Sequence, residues 1–176
     1  MGGDIHRGST RLFWAVVSCV AIVIFFLFVL RAPKHKVSLI GEGNALEFSL
    51  FDMNGKEVSS SHFKGKIVIL NFWATWCPPC VAEMPALNKI FHEYQQKGVV
   101  VLGVNAGESE EKVKPFVKKL GISFNILMDE ERTLENKYKV IGIPTTFFIG
   151  RNGVVKDLLV GGASYSIFKK RVEEIL

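Results

Sequence analysis

The sequence predicts an α/β domain, a central mixed sheet flanked by helices with an added N-terminal β-hairpin, preceded by one transmembrane helix. Three observations carry that expectation. Residues 12–30 hold no charged side chain and are closed by Arg11 and Arg31, a run long enough to cross the hydrocarbon core of a bilayer as a helix. Two unbroken apolar runs rich in β-branched residues, 67–73 and 99–105, read as strands buried on both faces. Segments of helical periodicity lie between and after those runs, and alternating strand and helix is the pattern of an α/β sheet.

The chain of 176 residues is parsed as a cytoplasmic tail at 1–11, a transmembrane anchor at 12–30, a linker at 31–44 and one domain at 45–176. A cleaved signal peptide is the rival reading of the apolar run. The run is longer than a typical signal core, and Val29, Leu30, Arg31 and Ala32 fit a small-residue cleavage site poorly. Cys19 is followed by eleven more apolar positions, so it reads as a small apolar filler of that helix rather than a lipid-attachment site. The net charge is +5, but five of the 22 basic and one of the 17 acidic residues precede Val37, which leaves 17 against 16. A domain so balanced has no nucleic-acid footprint.

In order along the domain, residues 48–52 alternate, Asn54-Gly55 is a hairpin turn, and Lys56-Glu57-Val58 returns the chain. Phe63 to Lys66 lead into the strand at 67–73. Val81, Met84, Leu87, Ile90 and Phe91 recur at helical spacing, predicting a helix from Cys77 to about Lys97, kinked at Pro85 and stopped by Gly98. The strand at 99–105 is expected to lie parallel to its predecessor, reached by that helical crossover. Ser109 with Glu110 and Glu111 opens a helix that continues past Pro115 to Leu120, with Gly121 as its C-cap. Residues 124–128 predict a strand, and Asp129 is read as the cap of a helix through about Tyr138. Strands at 145–149 and 154–160 flank the turn Arg151-Asn152-Gly153, and a helix over 164–175 closes the chain.

The chemistry is expected at Trp76-Cys77-Pro78-Pro79-Cys80, where the first strand hands over to its helix. Cys77 stands at the N-cap, and the prolines follow at positions that need no N–H. Free backbone N–H groups and the helix dipole there favour a thiolate, the species that attacks a disulfide or leaves one. Cys80 is tethered within reach of Cys77, so the pair forms a redox couple. A permanent disulfide or half a zinc site is the alternative, but zinc needs two more ligands, and neither His62 nor His92 has matching spacing. Both histidines are assigned to the surface. No metal and no cofactor is implied, since the sulfurs themselves carry the electrons. Glu83 lies three residues beyond Cys80 on one helical face. Two readings stand for it: a carboxylate that exchanges a proton with the resolving thiol, or a solvated first-turn acid that complements the dipole. Trp76 frames the site, Trp73 frames it or packs in the core, and Thr75 and Met84 are weaker candidates. Charge flanks the anchor on both sides and leaves its orientation open. A tethered thiol pair is useful where disulfides persist, which puts the domain outside the cytoplasmic membrane.

The order of elements around that motif, with Ile143-Pro144-Thr145 before the last hairpin, resembles a thioredoxin fold. The anchor, the 48–58 hairpin, the run Asn71-Phe72-Trp73-Ala74-Thr75-Trp76 and Glu83-Met84-Pro85 resemble the ResA/TlpA group of membrane-anchored thiol-disulfide oxidoreductases. The resemblance implies that Cys77 is the exposed nucleophile, that Cys80 resolves, and that Pro144 follows a cis peptide beside the pair, although trans is the default for such bonds. It favours the active-site role of Glu83. Thioredoxins themselves carry a buried acid where this chain has Asn71, leaving Glu83 as the local proton carrier. Trp76, Pro79, Ile143 and Pro144 are the implied substrate-binding residues, with the Ile143 backbone pairing to an extended segment. The implied function is reduction of protein disulfides in cytochrome c maturation. Apocytochrome c would be the substrate, and a membrane thiol carrier of the CcdA or DsbD kind the electron donor. Alternatives are a disulfide-forming oxidant, a non-catalytic binding or chaperone module, and a thiol peroxidase, whose usual threonine three places before the nucleophile is replaced here by Ala74.

Overall fold

The computed structural model describes Trp14, Val17, Ala45 and residues 47–176. The chain divides into two units, Met1–Val37 and Ser38–Leu176, and the second carries the sheet. The tail at 1–11, the linker at 31–44 and Cys19 lie outside the described residues. So does the anchor at 12–30, apart from Trp14 and Val17, which are both helical and exposed. Among the described residues no helix is long and apolar enough to cross a membrane.

The sheet has seven strands: β1 (Ser49–Asp52), β2 (Glu57–Ser59), β3 (Ile67–Trp73), β4 (Val99–Ala106), β5 (Asn125–Asp129), β6 (Thr145–Ile149) and β7 (Val155–Val160). They lie in the order β2-β1-β5-β4-β3-β6-β7. β3, β4 and β5 are parallel, and β1, β6 and β7 join antiparallel. The apolar runs at 67–73 and 99–106 therefore sit at the centre, covered on both faces, which is why they show no polar alternation. The helices are α1 (Pro78–Tyr94), α2 (Glu110–Leu120), α3 (Thr133–Lys137) and α4 (Tyr165–Glu173). The architecture is the thioredoxin-like mixed sheet expected, and the 48–58 hairpin joins it through pairing of β1 to β5.

Side chains alternate across β3. Ile67, Ile69 and Trp73 enter the core layer that holds Met84, Leu87 and Ile90 of α1 with Phe168 and Val172 of α4. Val68, Leu70 and Phe72 enter the opposite layer with Tyr138 and Phe147. The same alternation turns Asn71, fully buried, toward α1. Trp73 is also fully buried, its ring 6.2 Å from that of Phe116, so of its two readings core packing is the one realised. Gly103 makes room for it: a Cβ there would lie 2.8 Å from Ile126 Cδ1 and 3.1 Å from Trp73 Nε1.

Two helix boundaries depart most from the sequence reading. α1 ends at Tyr94 and a 3-10 turn, Gln95–Lys97, carries the chain to Gly98 at φ 79°, a left-handed position that suits glycine. Pro85 lies inside α1, where it removes one backbone N–H from the helix. Asp129 is the last residue of β5, not the residue before a helix. Its carboxylate reaches forward across the turn and accepts from the Leu134 and Glu135 N–H groups at 3.1 and 2.8 Å. It thus caps α3 from four residues before it, while Arg132 occupies the N-cap position at φ 54°.

Candidate active site around the Cys77–Cys80 disulfide

β3 ends at Trp73 and α1 starts at Pro78, so the motif lies on the tight connection between the sheet centre and its first helix. Cys77 is the N-cap, with extended backbone, and Pro78 and Pro79 fill the first two helical positions. The Cys80 N–H donates to Cys77 Sγ at 3.3 Å, and the Val81 N–H donates to the Cys77 carbonyl at 3.1 Å. The two cysteines are joined as a disulfide across a Cα separation of 5.3 Å. A helix N-terminus aimed at a sulfur favours the anion that forms when the bond opens.

The resemblance implied an exposed first sulfur, and here the structure corrects it. In the disulfide form residue 77 is 4% exposed and Cys80 fully buried. The Ile143 carbonyl oxygen lies 3.7 Å from Cys77 Sγ on one side, and the first turn of α1 closes the other. A disulfide sulfur carries no hydrogen, so the Ile143 contact is packing. The Ile143–Pro144 peptide is cis. Around this slot Trp76 is 56% exposed, Pro79 is exposed, Ile143 half-buried and Pro144 buried. The structure thus brings the four expected substrate-binding residues to the connection holding the disulfide and the loop beside it. Met84 is a core residue, while His62 and His92 are exposed.

Glu83 is buried, with only 2% of its surface exposed, so the solvated first-turn reading does not hold. Oε1 accepts from Asn71 Nδ2 at 2.8 Å and Oε2 from the Ala163 backbone N–H at 2.9 Å. Burial pushes its carboxyl up from 4.5 to about 7 against those two hydrogen bonds, which pull it down. A buried acid that changes charge near neutral pH, one helical turn from a thiol, is suited to general acid–base work. Asn71 also donates to Thr146 Oγ1 at 2.8 Å, the residue paired with it between β3 and β6. Gly162 lies against Pro79, with room for a Cβ only at 3.4 Å from the Pro79 Cβ and carbonyl oxygen.

Glu108 was missed by sequence reasoning. It sits between β4 and α2, 6% exposed, and holds the residues ahead of the motif. Oε2 accepts from the Thr75 N–H at 2.6 Å and Asn105 Nδ2 at 3.0 Å; Oε1 accepts from Thr75 Oγ1 at 2.6 Å and pairs with Lys112 Nζ at 2.5 Å. Burial alone would raise its pKa, but the hydrogen bonds from Lys112, Thr75 and Asn105 outweigh it and hold the group at about 2. The only signal for it in sequence is an acid just past the glycine that ends an apolar strand, and no spacing rule links residue 108 to residue 75. A groove of about 890 Å³ bordered by Phe48, Phe63, Lys66, Tyr138 and Arg151 includes none of the residues at the disulfide.

Residues 42–158 match the model of the AhpC/TSA family. The thiol-disulfide oxidoreductase ResA of Geobacillus thermodenitrificans is 39% identical over 141 residues, which cover 80% of this chain and 81% of that protein. The chain belongs to the ResA thiol-disulfide oxidoreductases of the AhpC/TSA family. ResA of Bacillus thuringiensis subsp. konkukian extends the likeness to 97% of this chain and 95% of its own, at 35% identity. Among solved structures, a thioredoxin-family thiol:disulfide interchange protein of Chlorobium tepidum superposes with a TM-score of 0.69 at 34% identity, covering 75% of this chain and 94% of its own. StoA of Bacillus subtilis gives 0.64 at 27% identity, over 72% and 96%. As a ResA-type enzyme the chain is a thiol-disulfide oxidoreductase acting on disulfide-containing proteins, and Cys77 and Cys80 are the cysteines in its thioredoxin-like domain.

Proposed function

We propose that this ResA-type enzyme is a membrane-tethered reductant of protein disulfides, with Cys77 as the attacking sulfur, Cys80 as the resolving sulfur and Glu83 as the proton acceptor for Cys80. The observation that carries the reading is the buried Glu83 carboxylate on the same helix as a Cys77–Cys80 pair at its N-terminus. In the dithiol form the Cys77 thiolate attacks one sulfur of a substrate disulfide. That bond breaks, and the other substrate sulfur leaves with the electron pair and takes a proton from water. Cys80 then gives its proton to Glu83, and its thiolate attacks Cys77 Sγ. The Cys77–substrate bond breaks, the substrate sulfur departs as a thiolate to be protonated, and the Cys77–Cys80 disulfide remains. Two electrons have passed to the substrate. Trp76, Pro79, Ile143 and Pro144 border the slot an extended substrate segment would occupy. Opening it in the oxidised state requires the Ile143 loop to move off Cys77.

The apolar run at 12–30 anchors the chain in the cytoplasmic membrane, with the domain on the outer side, where protein disulfides persist. A membrane thiol carrier of the CcdA or DsbD type returns the electrons, and the heme-attachment cysteines of an apocytochrome c are the leading substrate. Cys80→Ser tests this directly, because without the resolving sulfur the mixed disulfide accumulates. Covalent adducts through Cys77 that contain apocytochrome c are expected from membranes of the host. A Cys80→Ser chain that captures nothing, or a Cys77→Ser chain that retains its role in the cell, would overturn the reading.

A further inference from the structure

The neighbourhood of Glu83 contains a buried atom with no partner. Asn71 Oδ1 makes no hydrogen bond, although the side chain is fully buried and its Nδ2 donates twice, to Glu83 Oε1 and to Thr146 Oγ1. Leaving an amide oxygen unpaired in the interior costs roughly 1–3 kcal/mol, so an arrangement that tolerates it suggests a second state in which that oxygen is used. Both oxygens of Glu83 face N–H donors, Nδ2 of Asn71 and the backbone N–H of Ala163. That arrangement serves a carboxylate better than a carboxylic acid, because the proton of the acid needs an acceptor and both partners are donors.

A half-turn of the Asn71 amide about its terminal torsion removes the conflict at Glu83 and moves the unpaired position of the amide from Oδ1 to Nδ2. The amide oxygen then stands where Nδ2 stood and accepts from a protonated Oε1. Thr146, whose hydroxyl both donates and accepts, changes from acceptor to donor and follows the amide in either orientation. The backbone N–H of Ala163 has no such freedom. We propose that Asn71 and Thr146 are the positioning pair that lets Glu83 hold a proton in the interior, the Asn71 amide turning over to donate to the carboxylate and to accept from the acid. Among the described residues, the elements packed on Glu83 bring no charge to this exchange. β3 contributes Asn71, β6 contributes Thr146, the loop before α4 contributes Gly162 and the Ala163 N–H, and the first turn of α1 contributes the two joined cysteines. No charged side chain is among the causes of its displaced titration. The proposal rests on the reading of Glu83 as the proton carrier and adds the device that makes the carrier reversible.

The test is a pH titration of the oxidised full chain in detergent micelles, labelled with ¹³C at glutamate and ¹⁵N throughout, from about pH 5 to about pH 9. The Glu83 carboxyl carbon is expected to titrate, with the Asn71 side-chain amide resonances changing at the same midpoint as its N–H groups leave the carboxylate, while the Ala163 N–H shifts only as far as a donor that keeps its bond to a now neutral Oε2. A change at Ala163 with a still Asn71 amide would place the proton on Oε2 and overturn the proposal while leaving Glu83 as carrier. A Glu83 carbon that does not titrate in that range would remove the carrier itself, and the proposal with it. Asn71→Leu removes both a charge-assisted donor to the carboxylate and a weaker neutral acceptor for the acid, so it should raise the Glu83 midpoint by at most about one pH unit, tenfold in proton affinity. Thr146→Val leaves the amide in place, so it should move the midpoint less than Asn71→Leu does; a larger shift would contradict the assigned roles.

Discussion

Replacing Glu83 by glutamine should remove a pH dependence of stability whose size follows from the structure. The folded carboxyl keeps its proton to about 7 while an unfolded one loses it near 4.5. Between those values the folded chain binds more protons than the unfolded chain, so stability falls as pH rises. The stabilising contribution is whole below about 4.5 and absent above about 7. At about 1.36 kcal/mol per unit of displacement, the loss is roughly 3 kcal/mol. Glutamine has no such titration. Its amide donates at one of the two positions where the carboxylate accepted, whether or not the Asn71 amide turns to meet it, an offset independent of pH. The decisive quantity is therefore the difference between Glu83→Gln and the parent chain, not either alone. Urea unfolding under non-reducing conditions, followed by tryptophan fluorescence, to which buried Trp73 contributes the change on unfolding, should show that difference moving in favour of glutamine by roughly 3 kcal/mol from pH about 4.5 to about 7.5. Parallel profiles would mean that Glu83 titrates like a solvent-exposed acid, and the proton-carrier reading would lose its physical basis.

Glu108 should behave in the opposite sense. Its folded carboxyl is held at about 2 instead of 4.5, so its stabilisation is present above about 4.5 and lost as pH falls toward 2. Glu108→Gln is therefore expected to cost roughly 3 kcal/mol at neutral pH and about half of that near pH 3 in the same unfolding assay; a gap that stays constant down to pH 3 would refute it. Gly103→Ala should destabilise by about 1–3 kcal/mol through overpacking against Ile126 and Trp73, with a shift in tryptophan emission; unchanged stability would show that the indole has room. Trp76→Ala touches an exposed side chain and should leave stability within about 0.5 kcal/mol. In the Cys80→Ser background it should lower the yield of trapped adducts by about tenfold, and an undiminished yield would remove Trp76 from the docking surface.

The strands at 67–73 and 99–105, the helix opened by Cys77 and the proximity of Cys80 were legible because each depends on neighbours close in sequence. Periodicity, proline placement and a two-residue gap are local properties. Glu83 was legible as a candidate but not as a buried one, because its helix is only partly amphipathic by pattern. Its burial is decided by residues 12 and 80 positions away, Asn71 and Ala163. The capping of α3 by Asp129 was placed correctly in residue and wrongly in geometry, since the carboxylate spans a turn that the sequence reading took as the first turn of the helix. Glu108 was not legible at all: its hold on Thr75 joins loops at the ends of β3 and β4 that become neighbours only through the parallel pairing of those strands.

The sequence by itself determined the α/β class, the position of a redox cysteine pair at a helix N-terminus and the family to which the chain belongs, because motif and periodicity are written in consecutive residues. Tertiary structure alone decided the rest. It buried Cys77 beneath the Ile143 loop, set Glu83 between two donors and left Asn71 with an idle oxygen. A carboxylate's charge state depends on the solvent it loses and the dipoles it gains, and those come from strands and loops that only folding brings together.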